Sequence, residues 1–323
     1  MSYAIRIHQT GGPEVLKWEE VDLPAPAAGE VMIRQSAVGL NYIDIYQRDG
    51  LYPIPIPGGL GVEGAGVIEA VGAGVTGFKP GDRVAYAGAV GAYAEVRNVP
   101  AASVLALPDG VSEEDAAATL LKGMTVQFLI RRTYAVGAGD TVLFHAAAGG
   151  VGLLACQWLS ALGARVIGTV SSPEKAALAK ANGCDETINY REENIVERVR
   201  DLTDGAGVPV VYDSVGKDTF ETSLDCLLPR GMLVSYGNTT GPVDGVNIGV
   251  LAAKGSLYVT RPVLGAYIGT RAELEATAAD LFAMMEAGKV KASIGQRYAL
   301  KDAAKAQADL AAGKTVGATI LRP

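Results

Sequence analysis

Histidine is nearly missing from this chain: 323 residues contain only His8 and His145. Cysteine is also scarce, with Cys156, Cys184 and Cys226 odd in number and far apart. A zinc site needs three or four well-placed ligands, mostly nitrogen or sulfur, and this supply cannot furnish them, so no metal is expected. Scattered thiols also exclude a disulfide framework, and the three are expected as small buried hydrophobes. No run reaches the ~18 uncharged apolar residues that a membrane span requires. The opening Met1-Ser2-Tyr3-Ala4-Ile5-Arg6 lacks the basic start, apolar stretch and cleavage site of a signal peptide, so the cytoplasm is the expected location. Positive charge is in deficit, the net value being −7. That balance argues against nucleic acid or any partner held mainly through phosphates, while leaving room for one local basic pocket. Internal repeats and low-complexity tracts are absent.

What remains is an ordinary globular composition, 49% hydrophobic and 20% charged, long enough for two domains. Residues 1 to about 122 read as strands and turns. Residues 3–7 and 31–38 are β-rich, and punctuation is dense at Gly11-Gly12-Pro13, Pro24-Ala25-Pro26 and between Pro53 and Gly59. Glycines recur among Val, Ile and Ala between Gly61 and Gly74, as where strands bend in a small barrel. From about 123 strands and helices alternate. Strands are predicted at 141–145, 166–170, 208–213 and 232–237, with helices at 151–162, from Pro173 to Asn182-Gly183, and through 219–228. Such alternation implies right-handed crossovers and a parallel sheet. Two further helices, 271–287 and 300–312, precede a closing strand at 317–321.

The strongest local signal runs from Asp140 to Gly152, where a buried strand enters Ala146-Ala147-Ala148-Gly149-Gly150-Val151-Gly152 and then a helix. In this place Gly149 and Gly150 let the backbone turn close to a dinucleotide pyrophosphate, and Gly152 lets the helix pack on the strand. The free N–H groups of the helix start then hold the anion. Past the next strand an NAD site carries an acid for the ribose 2′-OH. Here the residues are Ser171, Ser172, Pro173, Glu174 and Lys175, and the hydroxyls and Lys175 favour a 2′-phosphate, hence NADPH.

The chain resembles the zinc-independent quinone oxidoreductases of the medium-chain dehydrogenase/reductase superfamily, the group that includes zeta-crystallin. The resemblance is carried by Gly139-Asp140, Leu143, Ala147-Ala148-Gly149-Gly150, Gly152, Gln157 and Ser160. It is supported by 39–46, 50–53, 188–191, 211–216 and 255–262, and covers essentially the whole length. It implies an α/β protein: a GroES-like β-barrel catalytic domain from 1–122 and 263–323, and a Rossmann NADPH-binding domain at 123–262, with a zinc-free cleft at their junction. It also implies a homodimer, joined through the β-rich 256–260. Where zinc alcohol dehydrogenases place a ligand Cys and a Gly-His-Glu, this chain resembles them with Asn41 and with Gly61-Val62-Glu63.

By the same resemblance Asn41, Asp44, Tyr46, Tyr52 and Lys122 serve the reaction, and Glu63 pairs with a cation, Lys122. Asn41, Tyr46 and Thr125 also meet the cofactor. Gly149, Gly150, Val151 and Gly152 take its pyrophosphate, Ser171, Lys175 and Tyr190 its 2′-phosphoadenosine, and Ser214, Gly237 and Asn238 its inner edge, with Arg261 and Arg322 approaching the nucleotide. The implied activity is NADPH-dependent reduction of a quinone or another small conjugated carbonyl. The alternatives are an enone or 2-alkenal reductase and a non-catalytic nucleotide-binding protein.

Overall fold

In the computed structural model, which describes residues 2–323, the glycine and proline punctuation of the first part separates β1 (Ser2–Ile7), β2 (Lys17–Val21), β3 (Glu30–Leu40), β4 (Gly58–Gly59), β5 (Glu63–Val71), β6 (Arg83–Ala87), β7 (Val96–Pro100) and β8 (Val104–Ala106). Val31, Ile33, Gln35 and Ala37 of β3 are buried at every second position, the period that puts alternate side chains on one face. Two helices interrupt the stretch that the sequence reading gave wholly to strands and turns: α1 (Tyr42–Asp49) and α2 (Glu113–Phe128). Their signals are local. Asn41 caps α1 with Asp44 three residues on, and Gly50 ends it in a left-handed conformation. Ser112 Oγ accepts from Asp115 N ahead of α2, whose first turn is acidic.

Beyond α2 come β9 (Thr141–Phe144), α3 (Gly150–Ala161), β10 (Arg165–Val170), α4 (Pro173–Ala181), β11 (Glu186–Asn189), α5 (Ile195–Leu202), β12 (Val208–Asp213), α6 (Phe220–Asp225), β13 (Leu227–Ser235), α7 (Gly249–Ala253) and β14 (Tyr258–Thr260). Their sheet has the order β11-β10-β9-β12-β13-β14. Every pairing in it is parallel. Counted from β9, that order is 3-2-1-4-5-6, the doubly wound arrangement that binds dinucleotides at its switch point. The expected α/β Rossmann half is present. The sequence reading ran the helix before β13 through 228, but pairing wins there: Val208 is matched with Leu227, and the strand starts two residues past Asp225.

The chain closes with α8 (Arg271–Glu286), β15 (Ile294–Ala299), a 3-10 turn at Leu300–Asp302, α9 (Ala303–Ala311) and β16 (Ala318–Arg322). The turn occupies the start of what the periodicity predicts as one helix. β16 returns to pair antiparallel with β3, inside a sheet of order β15-β16-β3-β5-β6-β8 in which β7 also pairs with β3. A smaller sheet, β2-β1-β4, lies in the same part. Two compact units result, one from the chain through Met124 together with Ile268–Pro323, the other Thr125–Tyr267. Each has its own apolar core. Ile5, Ile33, Val84 and Leu321 belong to the first, and Leu143, Ile167, Val211 and Leu233 to the second. The three cysteines are free and buried.

Candidate active site

The first unit gathers its functional candidates around Glu63. This residue opens β5, and its carboxylate is wholly buried. Oε1 accepts from the backbone N of Leu121 at 2.7 Å. Oε2 accepts from Asn41 Nδ2 at 2.9 Å and from Lys122 Nζ at 3.0 Å. Space for the carboxylate exists because β3 carries glycine at 39: a Cβ there would lie 2.3 Å from Glu63 Oε2 and 2.3 Å from Ala117 O. The expected Glu63–Lys122 pair is therefore formed. Taking both charges out of water costs several kcal/mol (~3–5 if one partner were lost), so the pair serves geometry more than stability. It commits the Asn41 amide nitrogen and holds the ammonium in one place.

Asn41 and Asp44 are joined through the start of α1. Asp44 Oδ2 accepts from Asn41 N at 2.8 Å and from the Tyr93 hydroxyl at 2.8 Å. Oδ1 has no hydrogen-bond partner among the described residues. Burial pushes the Asp44 carboxyl up to about 7; the Asn41 amide, the Tyr93 hydroxyl and the Lys122 charge pull it back, and Glu63 adds to the rise. Tyr46, also on α1, meets Tyr52 edge-on with centroids 5.3 Å apart, and the Tyr52 backbone N donates to Tyr46 O at 2.8 Å. Tyr46 is buried, Tyr52 half-buried. Thr125 follows Lys122 by three residues on α2, the spacing that shares a helix face. The boundary between the two units falls between them, inside the helix.

In the second unit the turn from β9 into α3 forms the cradle. Gly149 caps the helix with extended backbone, φ −80° and ψ 175°, and Gly150 begins it. The left-handed residue of this turn is Ala146, φ 55°, so the sharp bend does not fall on a glycine. Its carbonyl folds into the turn and accepts from Gly149 N at 2.9 Å. A Cβ on Gly152 would meet that oxygen at 2.3 Å and Ala147 Cα at 2.7 Å. Gly152 thus packs against the turn itself rather than against the strand, and the backbone N–H groups of the helix start are left bare of side chains. These residues fit a dinucleotide pyrophosphate.

The ends of β10 and β11 are adjacent, since Val170 is paired with Asn189 and Tyr190 N donates to Val170 O at 3.1 Å. This brings Ser171, Lys175 and Tyr190 to one edge. Burial and, to a smaller degree, the Arg191 guanidinium pull the Lys175 ammonium below its usual value. Arg191 lies in the 188–191 stretch that supports the resemblance but outside the residues it implies for the cofactor; its place one residue beyond Tyr190 at a strand end is the available signal. Ser172 has another task. Its hydroxyl caps α4 by accepting from Lys175 N at 3.3 Å. Ser214 and Gly237 close on each other, a Cβ on Gly237 falling 2.3 Å from Ser214 O, with Asn238 next in the chain. Arg261 is exposed and donates to Ser235 O at 3.2 Å. Arg322 belongs to the first unit, where it pairs with Glu114 at 2.5 Å, as does Arg297 at 3.0 Å.

Among the described residues no three or more His, Cys, Asp and Glu side chains stand together as a metal site. A lysine ammonium and an asparagine amide stand around Glu63, and this donor set does not fit zinc.

Two family models match the chain: an alcohol dehydrogenase GroES-like domain over residues 27–109 and a zinc-binding dehydrogenase over 150–284. A quinone oxidoreductase of Pseudomonas aeruginosa is 57% identical, with 100% of both chains covered. The crystal structure of Escherichia coli quinone oxidoreductase complexed with NADPH has a TM-score of 0.98 at 50% identity, covering 99% of this chain and 100% of that one. A 2-haloacrylate reductase of a Burkholderia species is 42% identical over 100% of this chain and 99% of its own length.

Proposed function

The chain belongs to the quinone oxidoreductase family of the medium-chain dehydrogenase/reductase superfamily, and on that premise we propose that it is an NADPH-dependent, zinc-independent reductase of quinones. The observation that carries the reading is the cradle at Gly149, Gly150, Val151 and Gly152, on the turn from β9 into α3, beside the paired end of β10 that leads to Ser171 and Lys175. When bound, NADPH supplies the hydride that, with one proton, turns a quinone into a hydroquinone.

In this reading residues 123–262 form the NADPH-binding domain, and 1–122 with 263–323 the catalytic domain. The helix-start amides hold the pyrophosphate. Ser171, Lys175, Tyr190 and Arg191 receive the 2′-phosphoadenosine, and Ser214, Gly237, Asn238 and Arg261 line the rest of the nucleotide path. Arg322, exposed and paired with Glu114, is the cation of the first unit that approaches the nucleotide in this reading. Asn41, Tyr46 and Thr125 orient the nicotinamide. The Tyr46 and Tyr52 rings offer flat apolar contact to a flat acceptor. Lys122, fixed by Glu63, supplies positive charge where the acceptor oxygen becomes negative, and Asp44 is the proton reserve.

Among the described residues no helix is long and apolar enough to cross a membrane. The finer expectations, a cytoplasmic enzyme acting as a homodimer, belong to the same proposal. A second reading, a reductase of conjugated carbonyls, is favoured by the likeness to the 2-haloacrylate reductase. Steady-state rates with NADPH on a panel of quinones and enals decide between them. We expect quinones to give the higher kcat/KM, and a large excess for enals would remove the quinone assignment. In parallel, Lys175→Ala should weaken NADPH about ten-fold more than NADH, the value of one lost charged contact of ~1.4 kcal/mol. Equal losses would remove the 2′-phosphate role.

A further inference from the structure

Beneath the cradle lies a chain of buried polar side chains that the reaction does not use. His145, Thr169, Asp213 and Ser223 are each no more than 1% exposed. His145 Nδ1 stands 3.1 Å from Thr169 Oγ1, and Nε2 stands 3.0 Å from Ser223 Oγ. Ser223 Oγ and Thr219 Oγ1 both donate to Asp213 Oδ2 at 2.7 Å. Asp213 Oδ1 accepts from the backbone N of Val215 at 2.7 Å and of Gly216 at 3.1 Å. At the other end Ala146 N donates to Thr169 Oγ1 at 3.2 Å.

The protons in this chain run one way. Four donors converge on the two oxygens of Asp213, which therefore accepts throughout. Ser223 gives its proton to Asp213 and so accepts from His145, whose proton sits on Nε2. Burial holds the imidazole neutral by pushing its pKa down, against the pull of Asp213. Nδ1 is then an acceptor, Thr169 gives it the hydroxyl proton, and the Thr169 oxygen is left to take the Ala146 N–H. Neither end of the chain stops on a side chain. One holds Ala146, the left-handed residue of the phosphate turn, and the other holds the loop after β12 that carries Ser214. These ends follow β9 and β12, the two central strands at the switch point.

We propose that His145 and Thr169 are positioning residues for the cofactor: through one hydrogen-bonded chain they fix the phosphate turn at Ala146 and the loop after Asp213 in the geometry that receives the dinucleotide. This rests on the NADPH reading above. A non-glycine residue at φ 55° is disfavoured by roughly 1–2 kcal/mol and keeps that conformation only where neighbours hold it. The Ala146–Thr169 bond is such a hold.

The test uses the full chain and two near-isosteric changes. Thr169→Val removes the hydroxyl and keeps the shape; Thr169→Ser keeps the hydroxyl. NADPH is titrated into each well below its melting temperature, and kcat is measured at saturating NADPH. Thr169→Val should raise the NADPH Kd about ten-fold, equivalent to ~1.4 kcal/mol, with kcat within about two-fold, and Thr169→Ser should restore the affinity. Should Thr169→Val fail to fold, Ser223→Ala breaks the same chain one link further on and is expected to weaken NADPH in the same titration. A variant that melts earlier yet binds NADPH as tightly as the unaltered protein overturns the proposal, the chain then serving only the sheet. Failure of the unaltered protein to bind NADPH overturns the cofactor reading as well.

Discussion

Asp44 is a carboxylic acid out of reach of bulk solvent: one oxygen takes two hydrogen bonds and the whole residue is buried. Its proton is held to about 7, whereas the same group in an unfolded chain loses it near 3.8. A raised native pKa means that the folded state binds the proton more tightly. The stabilisation is complete below the unfolded value and is lost as pH rises through the native one, on the order of 4 kcal/mol in all. Asp44→Asn imitates the protonated acid and still accepts from Asn41 N and Tyr93. Its melting temperature should exceed that of the parent at about pH 8 and approach it at about pH 5. Parallel curves for the two proteins would show that Asp44 does not titrate there. Asp44 was legible only through the resemblance of 39–46, and Lys122 only through the resemblance of the chain as a whole, because nothing in the local pattern announces that an Asp at a helix start is wholly buried. Glu63 was legible as a charge needing a partner. The tie between Arg191 and Lys175 was not, since it depends on the pairing of β10 with β11, a contact that residue order does not display.

The elements proposed to hold the nucleotide are the easier part to read. Strand, glycine turn and helix follow one another within 141–161, and their boundaries lie within one residue of the structure at β9 and α3. What composition concealed is the place of greatest bend, which falls on Ala146, and the crowding at Gly152. Gly152→Ala tests that crowding. Alanine favours a helix over glycine by ~1 kcal/mol, so secondary structure should survive, while the displaced Ala146 carbonyl should raise the NADPH Kd at least ten-fold, or ~1.4 kcal/mol. Titration curves that superimpose on the parent's would show that the turn absorbs a methyl without moving its amides. α1 and α2 went unread among strands, although each begins with a capping residue and an acid three positions on. Dense glycine and proline nearby outweigh these two short signals in the local pattern, the more so for α2, which crosses from one unit to the other.

At the scale of the whole molecule, the second unit's sheet ends on an open edge. Among the described residues β14 pairs only with β13, and it presents Tyr258 and Val259, 58% and 39% exposed. An uncovered apolar edge invites another strand, and a two-fold axis lets the same strand serve both partners. If the proposed homodimer forms through β14, Val259→Lys should convert it to a monomer in sedimentation while leaving each subunit folded; an unchanged sedimentation coefficient would remove β14 as the contact. The pairing of β16 with β3 has a different consequence, one of time. All strands of the nucleotide-binding sheet lie between Thr141 and Thr260, so they are complete when that stretch has left the ribosome. The barrel sheet must wait for β16 at 318–322 to find β3, a partner strand made far earlier. Contacts so distant in sequence form late and slowly. A newborn chain therefore has its parallel sheet and the cradle proposed for the pyrophosphate in place while the edge of β3 that β16 will cover is still bare, and this is the interval in which chaperones have most to protect.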